Sequence, residues 1–102
     1  MTPDQLKKLF QDFNHFKVII IGDVMLDSYL WGRVDRISPE SPVPVVSVHE
    51  KEFRLGGAAN VAMNISAMGA IPIMCSVVGD DDTSKILCKL MLQFNMPIDG
   101  IL

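Results

Sequence analysis

Two apolar runs on either side of a helix-period segment most constrain the fold of this chain. Residues 17–22 read KVIIIG and residues 71–78 read IPIMCSVV, and such continuous runs are typical of strands covered on both faces. Between them, apolar residues recur at helical spacing over 57–68, and Gly69 follows as a C-cap signal. Because parallel strands need a crossover, usually a helix, this order predicts an α/β fold with a parallel sheet and right-handed crossovers.

Two further segments carry helix signals. Thr2, Pro3 and Gln5 form a capping-box pattern, and an apolar face of Leu and Phe follows it. A later helix is expected to begin at a cap formed by Asp82 or Thr83 and to end at residues 95–97, NMP. Residues 98–102 are then expected to begin a third strand.

Residues 33–54 have a different character. Pro39, Pro42 and Pro44 lie among valines at 43, 45, 46 and 48, a pattern that favours edge strands or a small flap. The chain contains no repeat, low-complexity tract or linker, so we expect residues 1–102 to belong to one domain, with no second domain.

Composition limits the partners. The formal net charge is −3 at pH 7, so no basic stripe is available for a nucleic-acid backbone. Hydrophobic residues make up 49% of the chain and seven are Met, which predicts that some apolar surface needs a partner. The N-terminus lacks a signal-peptide core, and no segment approaches the roughly 20 apolar residues that cross a bilayer. We therefore expect a cytoplasmic protein that binds neither nucleic acid nor membrane.

The two cysteines lie in apolar surroundings. Cys75 and Cys88 form no C-x-x-C or Cys/His cluster, so the sequence shows neither a zinc site nor a redox motif. Buried, reduced thiols are expected.

Two glycines at a strand-to-helix turn are the main candidate site. Gly56 and Gly57 let a backbone approach a ligand, the new helix presents free N–H groups, and Asn60 lies one turn in. Asp27, which with Asp23 follows the first strand, has acceptor oxygens suited to vicinal sugar hydroxyls. The alternatives are that the glycines mark a plain turn, that Asn60 is a cap, and that both aspartates cap a turn.

These residues resemble a known family. The run GGAANVA at 56–62, followed after six residues by Gly69 and after nine more by Gly79, is similar to the N-terminal signature of ribokinase-like (PfkB) carbohydrate kinases. The segments GDVMLD at 22–27 and RISPESPVPV at 36–45 resemble the branch that acts on D-glycero-β-D-manno-heptose 7-phosphate. That resemblance implies phosphorylation at the anomeric hydroxyl, in ADP-heptose and lipopolysaccharide synthesis, sometimes beside an adenylyltransferase domain.

The resemblance also implies roles for particular residues. Asp27 matches the aspartate that binds sugar hydroxyls, and Gly56, Gly57 and Asn60 match the residues that close around the sugar. Residues 31–54 match a β lid that covers the sugar and in several relatives pairs with a second subunit, which implies a homodimer. An arginine of this lid, Arg33 or Arg36, is a candidate for the phosphate, although an exposed Arg on a flap is usually only solvated.

The resemblance covers about the first third of such a kinase domain. The family's Gly-Ala-Gly-Asp motif with its catalytic aspartate does not occur in this sequence, and neither does a Walker-type loop. We expect no catalytic, cofactor-binding or metal residue here. ATP and Mg²⁺ would serve the complete enzyme, and the chain alone would be inactive. The alternatives are a non-catalytic self-associating or sugar-binding module, and a piece of another PfkB sugar kinase.

Overall fold

Seven regular elements follow one another along the chain. The computed structural model describes the backbone of all 102 residues and every side chain except those of residues 35, 46, 47 and 49. The elements are α1 (Pro3–Phe13), β1 (Lys17–Ile21), β2 (Val24–Ile37), β3 (Pro44–Gly57), α2 (Ala58–Ala67), β4 (Ile71–Cys75) and α3 (Asp82–Gln93).

The parallel sheet is formed by β1 and β4, with α2 in the crossover. The register runs from Lys17 opposite Ile71 to Ile21 opposite Cys75, which confirms the predicted α/β class. The expected third strand is reduced to one parallel bridge between Ser76 and Ile101. Pairing begins only after a turn in which the Ile101 N–H donates to the Ile98 carbonyl at 3.0 Å. It continues to Leu102, whose N–H donates to the Ser76 carbonyl and whose carbonyl accepts from the Val78 N–H, each at 2.9 Å.

Only one face of this sheet is covered. Ile20 and Met74 face the core together with the fully buried Ala59 and Ala62 of α2. The small side chains of these alanines let α2 pack close to the sheet. On the opposite face Ile19 is 63% exposed and Ile21 is 83% exposed. The prediction of strands covered on both faces was therefore wrong for β1, since α2 packs on one side and the apolar run conceals an alternating burial pattern.

The flap is a long antiparallel ribbon made of β2 and β3. Its pairing runs from Val24 opposite Gly57 to Ile37 opposite Pro44, with two irregularities in register. Each of these strands has 14 residues and extends about 46 Å. The chain is therefore elongated and measures 62 × 38 × 20 Å. Its radius of gyration is 19.0 Å, whereas a compact chain of this length has about 13 Å. The predicted strands at 33–54 are confirmed, but the pairing begins earlier, at Val24, and continues to Gly57.

Local signals fixed most helix ends. Thr2 caps α1 in a capping box with Gln5, as predicted. The cap of α3 is Asp81 rather than Asp82 or Thr83, because Ser84 completes a capping box only with Asp81: the Ser84 N–H donates to Asp81 Oδ1 at 2.8 Å. Gly69 has a φ of +99° just past α2.

Three further sequence expectations concern the cysteines, the exposed valines of the ribbon and the bilayer. Cys75 and Cys88 are free thiols, but both are half-buried rather than buried. Cys88 borders the core instead of filling it, and Cys75 follows the core-facing Met74 in β4. Val43 and Val48 of the ribbon are about half exposed, and the side chain of Val46 lies outside the described residues. The helices in the described part of the chain are all too short or too polar to cross a bilayer.

Candidate functional site

The junction between β3 and α2 is a turn that only glycine fits well. Gly57 has φ +58° and ψ −134°, in the region that residues with a Cβ rarely adopt. A Cβ at this position would lie 2.6 Å from the backbone oxygen of Asp23. The next residue, Ala58, donates its N–H to that same oxygen at 2.8 Å. A strand thus passes directly into a helix, and the helix start lies at the base of the ribbon.

Gly56 makes room for a carboxylate. It pairs with Met25, and the next pair on the same face of the ribbon, two residues along, is Asp27 opposite Arg54. A Cβ at position 56 would lie 2.5 Å and 2.8 Å from the two carboxylate oxygens of Asp27. The Asp27 side chain therefore lies over the backbone of Gly56. Because Asp27 belongs to β2, the alternative in which it caps a turn does not hold.

Asn60 lies beside this group rather than against it. It is exposed in the first turn of α2, and the N-cap residue of that helix is Gly57, with no side-chain capping bond, so Asn60 is not the cap. Its side chain lines a cleft of about 430 Å³ together with Arg54 and Gln93. The structure brings Asp27, Gly56 and Gly57 together. Asn60 lines a cleft whose lining residues do not include Asp27, and Arg54 belongs to both places, as the strand partner of Asp27 and as a residue of the cleft.

The sequence reasoning missed Arg54 and the residues that hold it. Arg54 donates through Nε and Nη2 to the two carboxylate oxygens of Glu52, each at 3.1 Å. Its guanidinium carbon lies 4.6 Å from the centre of the Tyr29 ring, a cation–π distance. The signal was available in the alternation of a strand, since residues 52, 54 and 56 share one face. It could be used only once Asp27 was known to lie in the partner strand.

The ion pair shifts both of its members. The hydrogen bond from Arg54 lowers the pKa of Glu52 from its usual value of 4.5, and hydrogen bonding to Trp31 adds a smaller effect in the same direction. The hydrogen bond to Glu52 in turn raises the pKa of Arg54. Both groups are therefore charged at neutral pH. Among the side chains the structure describes, no three His, Cys, Asp or Glu residues lie close enough together to hold a metal ion.

These observations define an α/β protein that presents a polar site at the base of an antiparallel ribbon, where a glycine pair leads into a helix. The family model described as pfkB family carbohydrate kinase matches residues 15–101, and the chain belongs to that family.

Relatives and a solved structure agree with this assignment. The chain is 39% identical over 101 residues to a protein named "Bifunctional protein HldE" from Citrifermentans bemidjiense, covering 99% of this chain and 21% of the relative. The protein of that name from Vibrio parahaemolyticus is 47% identical over 96 residues, covering 94% and 20%. The chain thus spans about a fifth of the length of these relatives.

The structural comparison concerns the fold alone. A fructokinase from Halothermothrix orenii superimposes with a TM-score of 0.57 at 24% sequence identity, covering 84% of this chain and 28% of the fructokinase. The ribokinase-like α/β fold expected from the sequence is therefore confirmed.

Proposed function

We propose that this chain is the sugar-binding N-terminal portion of an ATP-dependent kinase of D-glycero-D-manno-heptose 7-phosphate. The complete enzyme would phosphorylate the anomeric hydroxyl, in the route to ADP-heptose and the lipopolysaccharide core. The observation that carries the proposal is the Asp27 carboxylate lying over Gly56, at the base of the ribbon and next to the start of α2. Membership in the carbohydrate kinase family supports the class of reaction, and the resemblance of residues 22–27 and 36–45 to the heptose 7-phosphate branch supports heptose as the sugar.

The chemistry of these groups suits a polyol. An ionised carboxylate is acceptor-only and can take hydrogen bonds from two neighbouring hydroxyls, while the Asn60 amide can both donate and accept. Gly57 is exposed and leaves its backbone uncovered by a side chain, so that a sugar ring can approach closely, while Gly56 makes room for the Asp27 carboxylate. The role of each of these four residues is thus to bind and orient the sugar.

The chemical step belongs to the complete enzyme in this proposal. Phosphoryl transfer depends on positioning and on charge stabilisation of the moving group by metal and hydrogen-bond donors. In the complete enzyme ATP would supply the phosphoryl group and Mg²⁺ part of that stabilisation. The described residues offer no metal cluster, and we assign no catalytic or nucleotide-binding residue to this chain. Mixed with ATP, Mg²⁺ and heptose 7-phosphate, the chain should release no ADP above a blank. Turnover that survives repurification would contradict this.

A titration tests the sugar site. Asp27→Asn keeps the size of the side chain and removes its charge, so it should weaken calorimetric binding of heptose 7-phosphate to the chain by about ten-fold or more. Asp12→Asn, at an exposed position of α1, makes the same change outside the site and should leave binding unaltered. Equal affinities for all three proteins would overturn the assignment. Fructose and ribose in parallel titrations distinguish a heptose site from that of another sugar kinase.

A second candidate function is self-association through the ribbon, as a homodimer formed by residues 31–54. It is favoured by apolar side chains there that are half or more exposed, at positions 31, 34, 37, 43 and 48. Exposed apolar strands with free edges attract a second strand surface. Sedimentation of the wild type and of Val34→Glu tests this: a dimer that the substitution dissociates supports it, whereas a wild-type monomer at micromolar concentration refutes it.

A further inference from the structure

Arg54 lies at the centre of the proposed sugar site. It is opposite Asp27 in the ribbon, it precedes Gly56 by two residues on the same face, and it lines the cleft that Asn60 also lines. Arg54 therefore neighbours Asp27 across the ribbon and Asn60 at the cleft.

The Arg54 guanidinium is held in place by its neighbours and still has N–H donors for a ligand. Of its five N–H donors, one on Nε and one on Nη2 are engaged by Glu52, and three remain for a ligand. The ring of Tyr29 supports one face of the group, while the side chain is 52% exposed. A guanidinium fixed in this way loses little conformational freedom when it binds a ligand.

The surroundings decide which ligand chemistry fits. Hydroxyl groups already have partners in Asp27, Asn60 and the glycine backbone, whereas a permanent cation with a planar fork matches the oxygens of a phosphate. The same ribbon face also carries Glu50 and Glu52, so it repels anions in general. Binding of an anion here depends on Arg54 itself rather than on a diffuse positive surface.

The other candidate arginines are too far away along the ribbon. Arg33 and Arg36 are six and nine residues beyond Asp27 on β2, which corresponds to about 20 Å and about 30 Å of strand. A seven-carbon sugar phosphate held at Asp27 is shorter than either distance. Arg54, in the adjacent strand, is within about 5.5 Å of Asp27 between Cβ atoms.

We propose that Arg54 binds the phosphate monoester of the sugar and makes the site select a phosphorylated sugar over the same sugar without phosphate. Glu52 and Tyr29 are positioning residues that orient the guanidinium. The proposal rests on the proposed function, namely that Asp27 and its neighbours bind a sugar. It adds the residue that binds the phosphate.

The test compares two ligands on several variants of the 102-residue chain. Calorimetric titrations use D-glycero-D-manno-heptose 7-phosphate and unphosphorylated D-glycero-D-manno-heptose. The wild type should prefer the phosphorylated sugar by about ten- to a hundred-fold, the range of a charge-assisted hydrogen bond. Arg54→Gln should remove that preference and leave the affinity for the free sugar within about two-fold. Arg54→Lys keeps the charge without the fork and should retain part of the preference.

Controls separate this proposal from the sugar site itself. Lys51→Gln makes the same charge change on the opposite face of β3, where Lys51 lies over the Phe53 ring, and it should leave both affinities unchanged. Asp27→Asn should weaken both sugars alike. If Arg54→Gln weakens both sugars equally, or neither, the phosphate assignment is overturned while the sugar site stands. If the wild type binds neither sugar, the proposed function fails and this assignment fails with it. Circular dichroism establishes whether each variant is folded. If Arg54→Gln does not fold, the preference of Arg54→Lys for the phosphorylated sugar is compared with that of the wild type instead.

Discussion

The two adjacent glycines at the start of α2 should respond in opposite ways to the same substitution. At Gly56 the φ angle lies outside the left-handed region, so alanine meets no backbone strain, and its stability effect should stay within about 1 kcal/mol. The obstacle is the Asp27 carboxylate, 2.5 Å from the added Cβ. An ordinary contact at 3.4 Å requires the carboxylate to move by about 0.9 Å, and a side chain in an exposed position can make that movement.

The expected consequence for Gly56→Ala is a loss of binding without a loss of fold. A carboxylate displaced by this amount loses its hydrogen bonds to the sugar, which are worth about 1.5–3 kcal/mol each when charge-assisted. Affinity for heptose 7-phosphate should therefore fall by about ten- to a hundred-fold. Gly57→Ala instead forces alanine to φ +58° and brings its Cβ against a backbone oxygen. It should lower the free energy of unfolding by at least about 1–3 kcal/mol.

Urea unfolding and calorimetry separate the two effects. Gly56→Ala should keep the wild-type unfolding midpoint and lose binding, whereas Gly57→Ala should lower the midpoint. A double variant, Gly56→Ala with Asp27→Asn, should bind no more weakly than the weaker single variant, because both act on one carboxylate. Additive losses would show that Gly56 acts independently of Asp27. Wild-type affinity in Gly56→Ala would refute the close approach as a determinant of the site.

Three further results are expected. Met74→Ala should destabilise the chain by about 2–5 kcal/mol in urea unfolding, because Met74 is fully buried, whereas Ile21→Ala on the open face of the same sheet should change stability by less than about 0.5 kcal/mol; similar losses would refute the one-sided core. Asp81→Ala should cost about 1 kcal/mol in the same assay through loss of the α3 cap, and an unchanged midpoint would contradict that role. The Glu52 carboxyl should titrate by NMR below 4.5 and return toward that value in Arg54→Gln; since the pKa is lower in the folded state, the ion pair stabilises the fold above about pH 4.5 and this contribution is lost as the pH falls through the lowered pKa.

The elements of the fold were predictable because their signals are local. The residues that form the capping box at Thr2 lie within a few positions of one another, and so do the residues that set the 3.6-residue period of α2. Each set specifies its own helix. The coverage of β1 was not predictable in the same way. An all-apolar run fits a strand buried on one face or on both, and which of these occurs depends on where α2 packs, a property of distant chain segments.

The candidate site shows the same difference between local and long-range signals. The glycine pair and Asn60 are adjacent in sequence, so the strand-to-helix turn that presents them is local. The approach of Asp27 to Gly56 depends on the register between β2 and β3, whose paired residues are as far apart in sequence as Val24 and Gly57. Arg54 was missed for that reason, since only the pairing of the two strands shows that it faces Asp27.

The register that builds the site is fixed by the core on the other face of the ribbon. Leu55 is buried and pairs with the partly buried Leu26, so Arg54 and Gly56, its neighbours in β3, must point the other way. A shift of one residue would expose Leu55 and turn the charged Arg54 inward. Loss of the leucine burial alone would cost about 1.5–3 kcal/mol, and an unpaired buried guanidinium would cost more. The apolar residues of the ribbon base thus hold Asp27, Arg54 and Gly56 on one face without contacting a ligand.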